Sequence, residues 1–302
     1  MKSASGTVTR RGRPPAPPPL LVLSGIASVQ LGAAIAKTLF DRVGPGGTVL
    51  LRLLVAALVL CALTRPRLRA LGRRQLLLVV VFGAVLAVMN DSFYAAIDRI
   101  PLGIAVTVEF SGPLLVAIAG SRRWLDALWV VLAGAGVVLL TRSGDGSALN
   151  PAGLGLAAFA GACWACYILL GKRLGRVFHG QDGLALATVV GAILLLPVGL
   201  ADGGAALLDW RVLGVGVAVG LLSSAIPYSL EIEALRWLPA RVFGVFMSLE
   251  PAVGALAGFV VLGEHLLGRE VAAIALVSLA SAGAALADQR APAAAADIPS
   301  GA

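Results

Sequence analysis

Two stretches decide the fold of this chain: residues 100–120, IPLGIAVTVEFSGPLLVAIAG, and residues 238–258, LPARVFGVFMSLEPAVGALAG. Each stretch is long enough to cross a bilayer as a helix, since a span needs about 20 mainly apolar residues. Each also places one carboxylate among apolar neighbours, Glu109 in the first stretch and Glu250 in the second. A charge at membrane depth is costly, so both stretches predict membrane spans that carry a functional group.

The two stretches align with each other at an offset of 138 residues. The matching positions are Ile100 with Leu238, Pro101 with Pro239, Pro113 with Pro251, and Gly120 with Gly258. A repeat at this spacing predicts two halves of five spans, and an odd number of spans inserts the second half in the opposite orientation. The alternative is that proline and glycine recur by chance in a chain with 37 Gly and 16 Pro.

Apolar stretches of similar length continue on both sides of this pair. We predict an all-α polytopic membrane protein with ten transmembrane helices, at residues 20–40, 46–63, 75–96, 102–120, 125–141, 151–170, 183–200, 212–234, 242–262 and 271–287. The first repeat then covers residues 20–141 and the second residues 151–287. The basic, Pro-rich residues 1–19 and the Ala-rich residues 288–302 are predicted to be disordered tails.

The composition excludes a water-soluble enzyme. Of 302 residues, 59% are hydrophobic and only 13% are charged, with a mean hydropathy of +0.93. The net charge of +8 would suggest nucleic acid as a partner, but the basic residues separate apolar runs and form no patch on a soluble face. The predicted partners are therefore a lipid bilayer and a small-molecule substrate, with no nucleic acid.

The distribution of basic residues predicts the orientation in the cell membrane. With the N-terminus inside, seventeen Lys and Arg residues outside the spans face the cytoplasm and five face the other side. Cytoplasmic loops carry the excess of basic residues, so both termini are predicted to be cytoplasmic. Lys37 and Arg52 remain within spans.

Five ionisable residues within the spans are candidates for binding substrate or coupling ions: Lys37, Arg52, Glu109, Glu231 and Glu250. Arg52 and Glu109 lie at similar depth and could pair, so a buried ion pair and a substrate contact remain alternatives for Arg52. Glu250 lies well inside its span beside Pro251 and can exchange a proton, or else support a helix kink. Glu231 could face a cavity, whereas Lys37 lies near a span end and could extend to the interface.

Uncharged side chains supply the other parts of a predicted pocket, which needs apolar walls and a few polar groups. Gln30 and Asn90 offer amides, while Tyr94, Trp164 and Tyr167 offer aromatic surface. Tyr94 could instead be an interface anchor, and Gln30 or Ser28 could form a hydrogen bond between helices.

Common sequence motifs of redox, metal-binding and catalytic sites do not indicate such a site in this chain. Cys163 and Cys166 form a C-x-x-C inside an apolar span, and three cysteines predict neither a disulfide framework nor a zinc site. The two histidines fall in separate loops, and no P-loop, G-x-S-x-G or H-E-x-x-H is present. We predict no cofactor, no metal and no catalytic residue, so that transport draws on a gradient.

An ordered set of motifs resembles the drug/metabolite transporter superfamily with two EamA domains, in particular its threonine and homoserine exporter (RhtA) branch. The motifs are residues 90–94, 100–105, 109–113, 161–167, 227–231, 247–251 and 262–264. The resemblance implies an inner-membrane exporter with two inverted five-helix repeats that expels small amino acids, with protons as the coupling ion. By the same resemblance Asn90, Tyr94, Glu109, Tyr167, Tyr228 and Glu250 occupy motif positions, while Asp91 departs from the pattern.

Four functions follow from these observations. The leading one is export of threonine- or homoserine-like amino acids by alternating access. The alternative is an exporter of the same transporter class that carries other metabolites, aromatic compounds or drugs. An intramembrane enzyme would need converging catalytic groups, and a structural or receptor-like protein would have no use for buried glutamates.

Overall fold

A computed structural model describes residues 16–66, 72–119, 124–141, 149–178, 181–235 and 237–287. The predicted C-terminal tail lies outside the described residues, as do residues 1–15 of the predicted N-terminal tail. The first helix already begins at Pro18, two residues before the predicted span, because proline is well accommodated in a first helical turn.

Within these ranges the chain is helical and contains no strand. The helices are α1 (Pro18–Lys37), α2 (Phe40–Thr64), α3 (Arg73–Ile97), α4 (Leu102–Glu109), α5 (Ser111–Ala119), α6 (Trp124–Thr141), α7 (Pro151–Val177), α8 (Asp182–Gly203), α9 (Trp210–Gly220), α10 (Ile226–Leu235), α11 (Ala240–Met247), α12 (Glu250–Leu262) and α13 (Gly268–Ala287). A 3₁₀ turn at Gly204–Leu208 follows α8, and a π-helical turn at Leu221–Ala225 joins α9 to α10.

Eight helical stretches in the described part of the chain are long and apolar enough to cross a membrane. They correspond to α1, α2, α3, α7, α8 with its 3₁₀ turn, α9 through α10, α11 with α12, and α13. The predicted fourth span contains a shorter apolar stretch, Leu102–Val116, and the predicted fifth coincides with α6. This architecture confirms an all-helical membrane protein, while the count of ten spans stays a prediction.

Prolines explain why two of the predicted spans are broken. Pro113 has no N–H to donate to the carbonyl of Glu109, and α4 ends at Glu109. Pro251 likewise leaves the carbonyl of Met247 without its helical donor, and α11 ends at Met247. The two breaks therefore occur at positions that match at the offset of 138 residues.

The first and second halves of the chain pack mainly against each other. The principal helix pairs are α1 with α10 and α12, α2 with α8 and α9, α3 with α7 and α8, α4 with α7 and α12, and α6 with α13. One buried core runs between the halves, with Tyr94 and Ile104 from the first half and Ala157 and Val219 from the second. The outer surface is apolar, since large side chains such as Leu58 and Leu279 are exposed, as expected for helices that face lipid.

Candidate functional site

A central cavity of about 330 Å³ lies between the two halves of the chain. This volume falls at the lower end of the range of about 300–1,000 Å³ that small-molecule sites occupy. Both halves contribute to its wall, which consists of Val29, Gln30, Ala33, Arg52, Leu86, Met89, Asn90, Phe93, Val106, Glu109, Trp164, Tyr167, Ser223, Pro227, Glu231, Met247 and Glu250. The cavity therefore unites most of the predicted site residues.

The Arg52 side chain on α2 is held by neutral partners. Its Nη1 donates to Asn90 Oδ1 at 2.7 Å and lies 3.5 Å from the Tyr94 hydroxyl. Asn90 Nδ2 in turn donates to the Leu86 carbonyl at 2.8 Å, which fixes the amide with its oxygen toward Arg52. Tyr94 is fully buried and lies beneath the guanidinium, 5.5 Å from ring centroid to Arg52 Cζ, rather than at the cavity wall.

A close ion pair of Arg52 with Glu109, one of the two alternatives for Arg52, is absent from the described part of the chain, although the two residues interact electrostatically. There, ion pairs join only Lys37 to Glu264 and Arg99 to Asp98. A guanidinium has five N–H donors, so the contacts with Asn90 and Tyr94 leave donors for a ligand. Arg52 thus offers N–H donors at the cavity wall, while its charge interacts electrostatically with Glu109 on the same wall without an ion-pair contact.

Three carboxylates line the same cavity. Glu109 is the last residue of α4, Glu231 lies on α10, and Glu250 is the first residue of α12. Glu250 is only 7% exposed. Glu250 interacts electrostatically with both Glu231 and Glu109. Three acids against one guanidinium favour a positively charged group in this space, such as an ammonium or a proton.

Two neutral polar side chains complete the wall. Gln30 on α1 is 3% exposed and Ser223 in the π-helical turn is 5% exposed. Gln30 Oε1 and Ser223 Oγ have no hydrogen-bond partner among the described residues. Ser28, by contrast, donates to the Leu222 carbonyl at 2.7 Å, so it forms the bond between helices that was the alternative for this residue.

Aromatic side chains close one side of the cavity. Trp164 packs edge-on against Phe110 with 5.6 Å between ring centroids, and Tyr167 packs against Phe82 at 4.7 Å. Both lie on α7 and line the cavity. The side chain of Tyr228 lies outside what the structure describes.

Lys37 lies elsewhere, in a group of residues that we call the Lys37–Glu264 cluster. Lys37 Nζ lies 2.7 Å from Glu264 Oε1 and 3.4 Å from the Ile100 carbonyl. Glu264 Oε2 accepts from the backbone N–H of Leu102, the first residue of α4, at 2.9 Å. The cluster thus joins the end of α1, the start of α4 and the segment after α12.

Sequence reasoning did not single out Ser223, or Glu264 as the partner of Lys37. Lys37 and Glu264 are 227 residues apart, and the only signal was that Glu264 belongs to the motif at residues 262–264. No sequence motif pointed to Ser223, because the π-helical turn that contains it has no recognisable motif. Asp91, the departure noted from the motif pattern, is half-buried and does not line the cavity.

Comparisons with known proteins agree with this architecture. The model of the EamA-like transporter family matches residues 151–286. The threonine/homoserine exporter RhtA of Salmonella typhimurium is 44% identical over 276 residues, which cover 91% of this chain and 93% of that protein. The exporter of the same name from Escherichia coli K12 is 43% identical over 270 residues, covering 89% and 91%.

Two more distant matches cover two thirds or more of the chain. An uncharacterised transporter of Bacillus subtilis, YwfM, is 27% identical over 212 residues, covering 67% of this chain and 71% of its own. A solved crystal structure with 21% identity shares the fold with a TM-score of 0.61, covering 90% of this chain and 98% of that chain.

These matches confirm that the chain is a multi-pass membrane transporter and not an enzyme. The RhtA exporters are more than 40% identical to this chain over about nine-tenths of its length, and the helical architecture agrees with this relationship. The chain belongs to the EamA-like transporter family of the drug/metabolite transporter superfamily, in the branch that contains the RhtA exporters.

Proposed function

We propose that this protein exports threonine and homoserine from the cytoplasm across the inner membrane. The observation that carries the proposal is the charge pattern of the central cavity, where Arg52 faces Glu109, Glu231 and Glu250 without an ion pair among the described residues. A zwitterionic amino acid matches this pattern, because its carboxylate suits a guanidinium and its ammonium suits a carboxylate. The similarity to exporters named for threonine and homoserine is the reason why we propose these two amino acids as the cargo.

We infer that the protein has ten spans in two inverted repeats, residues 20–141 and 151–287. In this arrangement α1 corresponds to α7, α3 to α9 with α10, and α5 to α12. The helix pairs support it, because the contact of α3 with α7 then corresponds to that of α10 with α1, and the contact of α5 with α7 to that of α12 with α1. The breaks after Glu109 and Met247 match at the same offset as the sequence repeat. Both termini are then cytoplasmic, and α6 and the α4–α5 pair each cross the membrane.

Alternating access is the transport mechanism in this proposal. On the side of the Lys37–Glu264 cluster, α4 packs closely against α12. In the proposed orientation the cluster lies at the outer side, so that it closes the cavity toward the outside while substrate enters from the cytoplasm.

Protons are the coupling ion in this proposal. Glu250 interacts with both Glu109 and Glu231, so a proton on any of these carboxylates relieves repulsion in the cavity. A proton that enters from outside would displace the ammonium group of the substrate from the same carboxylates. Entry of protons would thereby drive exit of the amino acid.

The proposal is tested in cells that overproduce the protein and are loaded with a threonine-containing dipeptide. We expect faster exit of threonine and homoserine than in cells without the protein, and at least a tenfold lower rate with Glu109→Gln or Glu250→Gln. Glu270→Gln is the matched control, because Glu270 is also buried but accepts from the Leu267 N–H, at the start of α13. Unchanged efflux with the protein present in the membrane would contradict the proposal.

A second candidate cargo is an aromatic metabolite or a drug. The cavity wall includes Phe93, Trp164 and Tyr167 together with Met89 and Met247, and methionines adapt to ligands of varied shape. If amino-acid efflux stays unchanged while export of an aromatic dye rises with the same protein, this cargo replaces the first.

A further inference from the structure

One amino acid does not account for all the carboxylates of the central cavity. Its carboxylate suits Arg52, and its single ammonium group suits the nearest acids. Glu109 interacts electrostatically with Arg52, and Glu250 interacts with both Glu109 and Glu231. These interactions form a series from Arg52 through Glu109 and Glu250 to Glu231, in which Glu231 is the last member. Its carboxylate therefore needs a role other than neutralising the substrate.

Glu231 lies close to one end of its helix, whereas Glu250 lies deeper. α10 ends at Leu235, four residues after Glu231, which corresponds to about 6 Å along the helix axis. Glu250 lies eight residues after Val242, where its predicted span begins, a depth of about 12 Å. Glu231 is partly exposed, and Glu250 is 7% exposed. In the proposed orientation both of these ends are cytoplasmic, so the step from Glu250 to Glu231 leads toward the cytoplasm.

No described side chain neutralises Glu231. It forms no hydrogen bond or ion pair with another described residue. The elements that pack on α10 are α1, the π-helical turn and α11. Of their charged residues, Lys37 on α1 pairs with Glu264, and the side chain of Arg241 on α11 lies outside what the structure describes. Among the described residues, Glu250 is therefore the charged group that acts on Glu231.

The cavity provides a path for a proton between these two carboxylates. Both Glu231 and Glu250 line it, and a volume of about 330 Å³ with polar walls has room for several water molecules. A protonated Glu250 gives its proton to such a water, and the water passes one of its own protons to Glu231. Glu250 thereby becomes a carboxylate and Glu231 a carboxylic acid, so the total charge of the cavity is unchanged.

We propose that Glu231 is the proton-exit residue of the exporter, which receives the coupling proton from Glu250 and releases it to the cytoplasm; this inference rests on the proposed function. In this scheme Glu250 holds either the proton or the ammonium group of the substrate. Transfer to Glu231 returns Glu250 to the anionic form, which binds the ammonium group of the next amino acid. Glu231 itself does not contact the substrate, so its loss stops proton release and spares substrate binding.

Two assays of the purified protein in liposomes separate these steps. The first measures threonine exit driven by an inward proton gradient, with a pH-sensitive dye inside the vesicles that records proton entry. The second measures exchange of labelled for unlabelled threonine at equal pH on both sides, which needs substrate binding but no proton release. Glu231→Gln should lower proton-driven exit and proton entry at least tenfold and leave exchange within threefold of wild type. Glu250→Gln should lower both exit and exchange.

Glu233→Gln is the matched control on the same helix. Glu233 accepts a hydrogen bond from Trp237 Nε1 at 3.0 Å and does not line the cavity, so both assays should stay at the wild-type rate. Glu231→Asp tests the need for a titratable group, because it keeps the carboxylate whereas Glu231→Gln keeps the size. Proton-driven exit should be faster with Glu231→Asp than with Glu231→Gln, and the reverse order would indicate a structural role and refute the proposal.

The outcomes distinguish the proton exit from the transport function. If Glu231→Gln keeps wild-type proton-driven exit, or loses exchange to the same extent as exit, the proton-exit role is refuted and amino-acid export stands. If the wild-type protein carries neither threonine nor homoserine in either assay, the proposed function falls as well. Should Glu231→Gln not fold, Glu231→Asp decides: a lengthened proton path should slow exit more than exchange, and equal effects would contradict the proposal.

Discussion

Arg52 owes its orientation to Asn90, which is itself fixed by the Leu86 carbonyl. We expect Asn90→Leu to raise the threonine concentration for half-maximal efflux about ten- to a hundredfold, because a hydrogen bond to a charged group contributes about 1.5–3 kcal/mol. Tyr94→Phe should have a smaller effect, since the hydroxyl lies 3.5 Å from Arg52 Nη1. Equal effects of the two substitutions in the concentration dependence of efflux would contradict this assignment.

Individual residues were predictable to the extent that burial of a charge is unusual. Lys37, Arg52, Glu109, Glu231 and Glu250 could be selected because they are ionisable residues within the spans, and all of them except Lys37 line the cavity. Their partners could not be predicted, because pairing depends on packing between distant segments. An ion pair with Glu109 and a substrate contact were both open for Arg52 from the sequence, and the hydrogen bond to the uncharged Asn90 was not predicted.

Among the helices, the contact of α4 with α12 controls closure at the outer side in this account. A Cβ at Gly103 would lie 2.6 Å from the Cα of Ala255, so Gly103→Ala should force the two helices apart. We expect a loss of about 1–3 kcal/mol of stability, seen as a lower melting temperature, together with slower efflux. Gly134→Ala on α6 is the control, because nothing lies within 4 Å of a Cβ there. Similar melting temperatures for the two variants would refute the role of this contact.

The Lys37–Glu264 cluster acts on the same helices. Lys37→Met should weaken outer closure, so that a cysteine placed at Val106, on the cavity wall, reacts several-fold faster with a membrane-impermeant thiol reagent added outside. The experiment uses a background without the three native cysteines. Arg99→Gln serves as control, because Arg99 forms an exposed pair with Asp98. An unchanged labelling rate with Lys37→Met would show that the cluster does not close the cavity.

Helix positions were largely predictable, whereas helix irregularities were not. Apolar length located the helix ends within seven residues, with the largest differences at the start of α2 and the end of α7, because the bilayer imposes the length of a span directly. The π-helical turn at Leu221–Ala225 left no trace in the sequence, since it depends on packing against Ser28 and Gly32. The breaks near Pro113 and Pro251 had a visible cause, but proline alone does not say whether a helix bends or ends.

The molecule as a whole is proposed to have both termini in the cytoplasm. A reporter fused after Ala287 should therefore be active if it works only in the cytoplasm, and inactive if it works only outside. The reason is that seventeen basic residues fall on that side against five on the other. The opposite pattern of reporter activity would reverse the orientation and place the Lys37–Glu264 cluster inside.

The proposed inverted repeat rests on the sequence, because proline and glycine occupy matching positions in both halves. The conformational state could not be predicted, since alternating access as proposed requires one sequence to adopt both an inward-facing and an outward-facing arrangement. The structure adds the packing of α4 on α12 beside the Lys37–Glu264 cluster.

The most direct test of the central claim is the exit of labelled threonine from liposomes that contain only the purified protein. With a proton gradient directed into the vesicles, the account predicts threonine exit well above the rate of protein-free liposomes, and a return to that background rate with Glu250→Gln. Exit at the protein-free rate from vesicles with correctly folded wild-type protein would contradict the claim that this chain is a threonine exporter.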